Sequence, residues 1–323
     1  LNLQTSQPVL YLIQTFDGLS QIKRLVTTVL ASDPKGRIII SHNSDKFNIA
    51  VDDFDEHERI SVMNLPGGNR VNFYQADGML KAIAFAEKNS INFSWVVNIT
   101  GQCYPIQPLN TLKENLELSG FDAHIFHGEV FGKKPFLWPE EEALARYAYR
   151  YHWRLTLHEL SKFQHFFWSA LREIVNRTQK LFRIDTAYAL QIGKRHSDSF
   201  LPEGWCLYGG FIFMALGRRA ALRLLDFSEN NTVEMWHFRQ MIMPTEVFAH
   251  TVLANQPDIN IGHDVPVYVH YDNNKRGRPR VLTTADLATL YTKKHYYFAR
   301  KFDAKVDSFV FDELDKHLFN LNK

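Results

Sequence analysis

Short apolar runs and helical stripes alternate along the first 110 residues. Val9-Leu10-Tyr11-Leu12-Ile13 has the length and composition of a buried strand. Leu19, Ile22, Leu25, Val26, Val29 and Leu30 follow at helical spacing, and Asp33-Pro34-Lys35-Gly36 breaks that helix. Arg37 to His42 predicts a second strand, Ile60 to Met63 a short third, Gln75 to Lys88 a helix, and Phe93 to Thr100 a fourth strand closed by Gly101. Strands that alternate with helices imply parallel pairing through right-handed crossovers, so this region predicts a doubly wound sheet. Such sheets take ligands at the carboxyl ends of their strands. Those ends are Gln14-Thr15, His42-Asn43-Ser44 and Thr100-Gly101-Gln102.

The pattern is less regular afterwards. Glu140 to Phe182 reads as helix-rich and is strongly aromatic. Leu207 to Ala215 is an apolar, glycine-containing strand, and Arg218 to Leu225 a helix. Glu246 to Leu253 and Asp286 to Arg300 read as helices around a basic loop, Asn273 to Arg280, and Val306 to Leu321 as a last helix. With no internal repeat and no low-complexity linker, a single domain over residues 1–323 is expected, of α/β class, with a mostly parallel Rossmann-like sheet and a helical second half.

Composition narrows the function. Hydrophobic residues make up 45% and charged residues 22%, the balance of a globular chain. Lys plus Arg is 37 and Asp plus Glu 35, a net +2, too even for a general nucleic-acid binder. Two cysteines, Cys103 and Cys206, exclude a disulfide scaffold and are compatible with a reducing compartment. No apolar run reaches the ~18 residues that span a bilayer. The first residues lack the basic-then-apolar order of a signal peptide, although a start at Leu1 leaves room for residues upstream.

The P-loop, the dinucleotide GxGxxG, HExxH and GxSxG are all missing. Asp53-Phe54-Asp55 is a literal DxD, the metal signature of many nucleotide-sugar transferases, but it lies in an acidic run from Val51 to Glu58 that reads as a solvated loop. In that architecture the metal carboxylates close the central strand, and the strand at that position here ends in Thr100-Gly101-Gln102-Cys103.

Four segments then resemble one family in order and spacing. Val97-Asn98-Ile99-Thr100-Gly101-Gln102-Cys103-Tyr104-Pro105-Ile106 resembles the "INLSGQDFPL" strand of the core-2/I-branching acetylglucosaminyltransferases, which with the peptide O-xylosyltransferases form glycosyltransferase family 14. Tyr208-Gly209-Gly210-Phe211-Ile212-Phe213 with Arg218-Arg219 resembles "SGSxxFxxSR", and Met243-Pro244-Thr245-Glu246 onward resembles "SPDExxxxT". Phe298-Ala299-Arg300-Lys301-Phe302-Asp303 matches the closing "FARKF". Cys103 stands where relatives carry aspartate, and His42-Asn43-Ser44-Asp45 where many carry "HxD".

The resemblance implies a GT-A-like fold, with residues 1–110 as nucleotide-binding half and 111–323 as acceptor-binding and catalytic half. It implies inverting transfer of a sugar, GlcNAc or xylose, from a UDP-sugar donor to a glycan hydroxyl, with no metal and no other cofactor. Glu246 matches the catalytic base that takes the acceptor proton, with Thr245 as a helix N-cap. Lys301 matches the family lysine that meets the charge of the leaving diphosphate. The accompanying arginine is one of Arg276, Arg278 and Arg280, with Arg278 and then Arg280 in best alignment. Thr15, His42 and Asn43 are expected at the nucleoside. Arg146, in a helix resembling the family's "EER…RY", is expected at the acceptor sugar, where Trp205 and Gly210 also fall.

Plainer readings stand beside these. Glu246 suits the first turn of a helix as an acid, Glu142 and Arg146 form an i,i+4 pair, the arginine loop is a solvated basic loop, and Trp205 is a core residue. Other functions compatible with the chain are a metal-dependent transferase using Asp53 and Asp55, a non-catalytic glycan-binding protein, and a nucleic-acid-modifying sugar transferase, which the charge balance disfavours. The few cysteines fit a bacterial, cytoplasmic enzyme of surface-glycan synthesis, at most peripheral to the inner membrane.

Overall fold

The computed structural model describes all residues except 1–6, 56, 69–70, 133–136, 157–160, 188, 197–199, 272–278 and 322–323. The first half alternates as its pattern requires: β1 (Val9–Thr15), α1 (Leu19–Ser32), β2 (Arg37–Asn43), β3 (Ile60–Leu65), α2 (Tyr74–Lys88) and β4 (Trp95–Thr100). β1 pairs in parallel with β2 and with β4, and β2 with β3. β1 is an unbroken apolar run because both its faces are covered. Val9, Tyr11 and Ile13 enter one core cluster with α1, and Leu10 and Leu12 the other with α2. The break after α1 is held by Asp33, whose carboxylate accepts from the Gly36 amide and, at 2.9 Å, from the buried Tyr11 hydroxyl.

The chain then adds β5 (Cys103–Pro105), α3 (Leu112–Leu118), β6 (Ala123–Glu129), α4 (Glu140–Tyr147), β7 (Tyr149–Thr156), α5 (Lys162–Thr178), β8 (Phe182–Asp185), β9 (Ala189–Arg195) and β10 (Tyr208–Gly217). It continues through α6 (Arg218–Asn230), α7 (Thr232–Arg239), α8 (Phe248–Ala254), β11 (Ile261–Gly262), β12 (Val267–Val269), α9 (Leu287–Tyr291), β13 (Phe298–Arg300) and α10 (Phe309–Leu321). The main sheet runs β11-β6-β10-β4-β1-β2-β3, and two three-stranded sheets, β12-β13-β5 and β7-β9-β8, flank it. The fold is therefore α/β with a mostly parallel central sheet, as expected. β10 runs antiparallel to β4 and β6. Chain order reverses at β1 and β4, the switch point where sheets of this kind open a crevice.

Two expectations for the second half are corrected. Asp286 to Arg300 is not one helix: α9 ends at Tyr291, and Phe298–Arg300 is the central strand of a small sheet, paired with Val267–Val269 and Cys103–Pro105. The apolar residues Leu287, Leu290, Tyr291 and Phe298 fit one helical stripe, but cross-chain pairing decides the last of them. The helix-rich middle is split by β7, which pairs with β9 from Tyr149 to Thr156. β9 carries no apolar run long enough to announce itself. The second half is thus a mixture of helices and strands rather than helical.

Candidate active site

Glu246 closes a 3-10 turn, Pro244–Glu246, entered through Met243 at φ 51°. The turn is pinned at both ends, by the Met243 amide on the Val71 carbonyl (3.0 Å) and the Glu246 amide on the Met243 carbonyl (3.1 Å). Thr245 is not the N-cap of the following helix. α8 begins at Phe248 after Val247, and the buried Thr245 Oγ1 has no hydrogen-bond partner among the described residues. Instead Glu246 is oriented from across the molecule: Arg146 Nη1 donates to its Oε2 at 2.8 Å, from 100 residues away. Arg146 Nη2 donates at the same time to Glu142, the expected i,i+4 partner, and the guanidinium lies 5.5 Å from the Trp138 ring centre. Burial works against the Arg146 charge, but Tyr147, Glu246 and Glu142 outweigh it and push its pKa up. Arg146 therefore bridges two carboxylates, and the Glu246 side chain keeps 21% of its surface exposed.

On another flank, two cationic residues adjoin through their backbones. The Lys301 amide faces the Arg280 carbonyl (3.5 Å) and the Leu282 amide donates to the Lys301 carbonyl (2.8 Å), so Arg280 and Lys301 sit on adjoining backbone segments. Arg280 is bonded to Asp286, which keeps the guanidinium at the head of the turn before α9. Phe302 donates its amide to the Gln102 carbonyl (2.9 Å), fixing this flank to the end of β4. Arg278 and Arg276 lie outside the described residues.

β10 ties the two flanks together. His250, one turn after Glu246, bonds through Nε2 to the Phe211 carbonyl at 2.9 Å, and Arg300, beside Lys301, lies 4.9 Å over the Phe213 ring. His250 is fully buried, and burial lowers its pKa to about 3. The neutral ring thus donates Nε2–H to the carbonyl. Gly210 is required by this packing: a Cβ there would lie 1.9 Å from the Phe126 carbonyl oxygen and 2.7 Å from His250. The register shift between Gly210 and Met214 falls on this strand segment, where a bulge re-aims side chains.

The strand-end residues serve each other. Thr15 Oγ1 meets His42 Nδ1 at 2.8 Å and His42 Nε2 meets the Phe47 carbonyl at 2.9 Å, so the buried imidazole has both nitrogens occupied and burial lowers its pKa. Asn43 donates to the Gly68 carbonyl (3.1 Å) and accepts from the Asp45 amide (3.0 Å). These side chains sit at the carboxyl ends of β1 and β2. Trp205 packs 5.6 Å from Phe227 with near-parallel planes, on the rim of the second core cluster, in keeping with its plainer reading. Asp53 caps its own turn through the Ala50 amide and pairs with Lys23 at 3.2 Å, on the β2–β3 connection. Among the described residues no three His, Cys, Asp or Glu side chains gather as a metal site.

Two aromatic residues escaped the sequence reading. Phe16 follows Thr15 at the end of β1 with 54% of its surface exposed, next to Lys46 (5.9 Å from the ring centre). Tyr271, 41% exposed, ends a stacked column Phe126–Phe211–Tyr271 with centroid separations of 5.0 and 6.2 Å. An apolar residue directly after a parallel strand's carboxyl end was the available signal for Phe16. Nothing local marks Tyr271, because its column joins three separate segments.

No family model matches the chain. An alignment of 145 positions, covering 39% of this chain and 16% of the relative, is 29% identical to a xylosyltransferase of Ciona intestinalis. A structure described as a glucose-1-phosphate thymidylyltransferase from Bacillus anthracis, in complex with a sucrose, aligns over 71% of this chain and 82% of its own at 9% identity, with a TM-score of 0.29.

Proposed function

We propose that this chain is a glycosyltransferase that moves a sugar from a UDP-sugar to a glycan hydroxyl, with inversion and without a metal ion. The observations that carry the reading are two: Glu246 is aligned by Arg146, and the backbone of Arg280 adjoins that of Lys301. The partial likeness to a xylosyltransferase supports the same class. In the reaction Glu246 accepts the proton of the acceptor hydroxyl as its oxygen bonds to the anomeric carbon. The bond from that carbon to the diphosphate breaks on the opposite face, and its electron pair leaves with the nucleotide. Fixed cations stabilise such developing charge most where water is excluded, and Arg280 and Lys301 are the groups for it. Lys301 makes no hydrogen bond or ion pair with a described side chain, which leaves its ammonium for the phosphates. Phe16 offers a face for the nucleobase and Tyr271 one for a sugar ring. Glu142 and Arg146 then border the acceptor, GlcNAc or xylose being the sugar transferred.

A panel of nucleotide sugars, read by thermal shift and by donor hydrolysis in EDTA on wild type and Lys301→Ala, tests this. The expected result is stabilisation by one UDP-sugar without metal, lost in Lys301→Ala. Binding only with manganese would instead support the metal-dependent reading through Asp53 and Asp55. No binding in either condition would leave a non-catalytic glycan-binding protein.

A further inference from the structure

Helix α5 is unlike every other long helix of the chain: none of its residues is buried. Its inner side rests on β8, through Asn176, which exchanges hydrogen bonds with both backbone groups of Ile184, and Arg172, which donates to Thr186. Its outer side is apolar. Phe163, Phe166 and Ile174 are 77%, 74% and 60% exposed, and Phe167 is half exposed. At 100° per residue, Phe163, Phe167, Ala170 and Ile174 fall within about 60° of one another, a continuous stripe along the helix. Exposed Leu181 and Phe182 extend it where β8 begins. A contiguous apolar surface of this kind marks an interaction site rather than ordinary scatter.

Charge identifies the occupant. Residues 161–195 carry seven Lys and Arg against two Asp and Glu, whereas the whole chain is almost balanced. Pairing this face with its copy in a second chain would be isologous and would set two strongly basic surfaces against each other. An anionic, apolar partner satisfies both properties, and a helix with aromatic rings on one side and basic residues around it is the form that lies in a lipid interface. We propose that α5 and the start of β8 dock this protein on an anionic lipid surface. The lobe is joined to Arg146 through α4 and β7, and Tyr151 of β7 donates its amide to the Gln240 carbonyl, four residues before Pro244.

The test is co-sedimentation of the full chain with phosphatidylcholine vesicles, alone or containing about a third phosphatidylglycerol, at low and at about physiological salt. Binding is expected to the phosphatidylglycerol vesicles only and to weaken with salt. Phe163→Ser with Phe167→Ser is expected to reduce it about tenfold or more, with an unchanged melting temperature because both rings are exposed. Arg177→Glu with Lys180→Glu is expected to reduce it as well. Failure to bind overturns the proposal, as does binding that the phenylalanine variants retain, which would reveal simple polyanion attraction. A dimer in size-exclusion chromatography that Phe163→Ser dissociates would give the face to a second copy and overturn it too.

Discussion

The ends of β1 and β2 and the Arg146–Glu246 pair are held by different means. At the ends of β1 and β2, polar side chains are paired within short reach: Thr15 with His42, His42 with Phe47, Asn43 with Gly68 and Asp45. These are neutral hydrogen bonds, each worth about 1 kcal/mol net. Around Glu246 the organising contact is an ion pair between residues 100 positions apart, largely withdrawn from water. Charge-assisted bonds of this kind are stronger and directional. At the strand ends polar side chains bond one another and nearby backbone, while at Glu246 a carboxylate is aimed by a guanidinium.

Four measurements sharpen or break that contrast. Glu246→Gln keeps size and packing but removes the base, so turnover should fall about 10²- to 10⁴-fold while donor-induced thermal stabilisation persists. Retained turnover would remove Glu246 from the chemistry. Gly210→Ala should cost about 3 kcal/mol in a denaturant titration, because its methyl meets the Phe126 carbonyl and His250 with no flexible neighbour to yield. A smaller loss would mean that the segment tying the flanks together can relax.

Acid should act through His250. Its ring is neutral in the folded chain down to about pH 3, against an ordinary 6.5, so below 6.5 only the unfolded chain takes up the proton. Stability is then complete above 6.5 and falls as pH drops toward 3, by about 2 kcal/mol at pH 5. Urea melts at both pH values should show this decline, and His250→Gln should flatten it. The smallest effect belongs to the strand ends: Thr15→Val should cost about 1 kcal/mol and leave turnover within a fewfold of wild type. A large loss of donor binding would return Thr15 to the nucleoside contacts.

The elements of the first half were legible because each is announced locally. An apolar run of five residues makes β1, and a stripe from Leu19 to Leu30 makes α1. Glu142–Arg146 was legible for the same reason, being one helical turn apart. β7, β9 and β13 were not, since each becomes a strand through a partner far along the chain. Thr245 was misread because the Pro244 turn satisfies its own backbone and shifts the start of α8 to Phe248.

By itself, then, the sequence determined the α/β alternation, the parallel core of β1 to β4, and the residue types that a sugar transfer needs, because periodicity and composition are local properties. Tertiary structure alone decided that Arg146 aims Glu246, that the backbone of Arg280 adjoins that of Lys301, that Tyr271 caps a column begun by Phe126, and that the phenylalanines of α5 face outward. The physical reason is common to all four. Hydrogen bonds, ion pairs and ring contacts act over a few ångströms of space, and only the packed chain brings residues so far apart in sequence within that range.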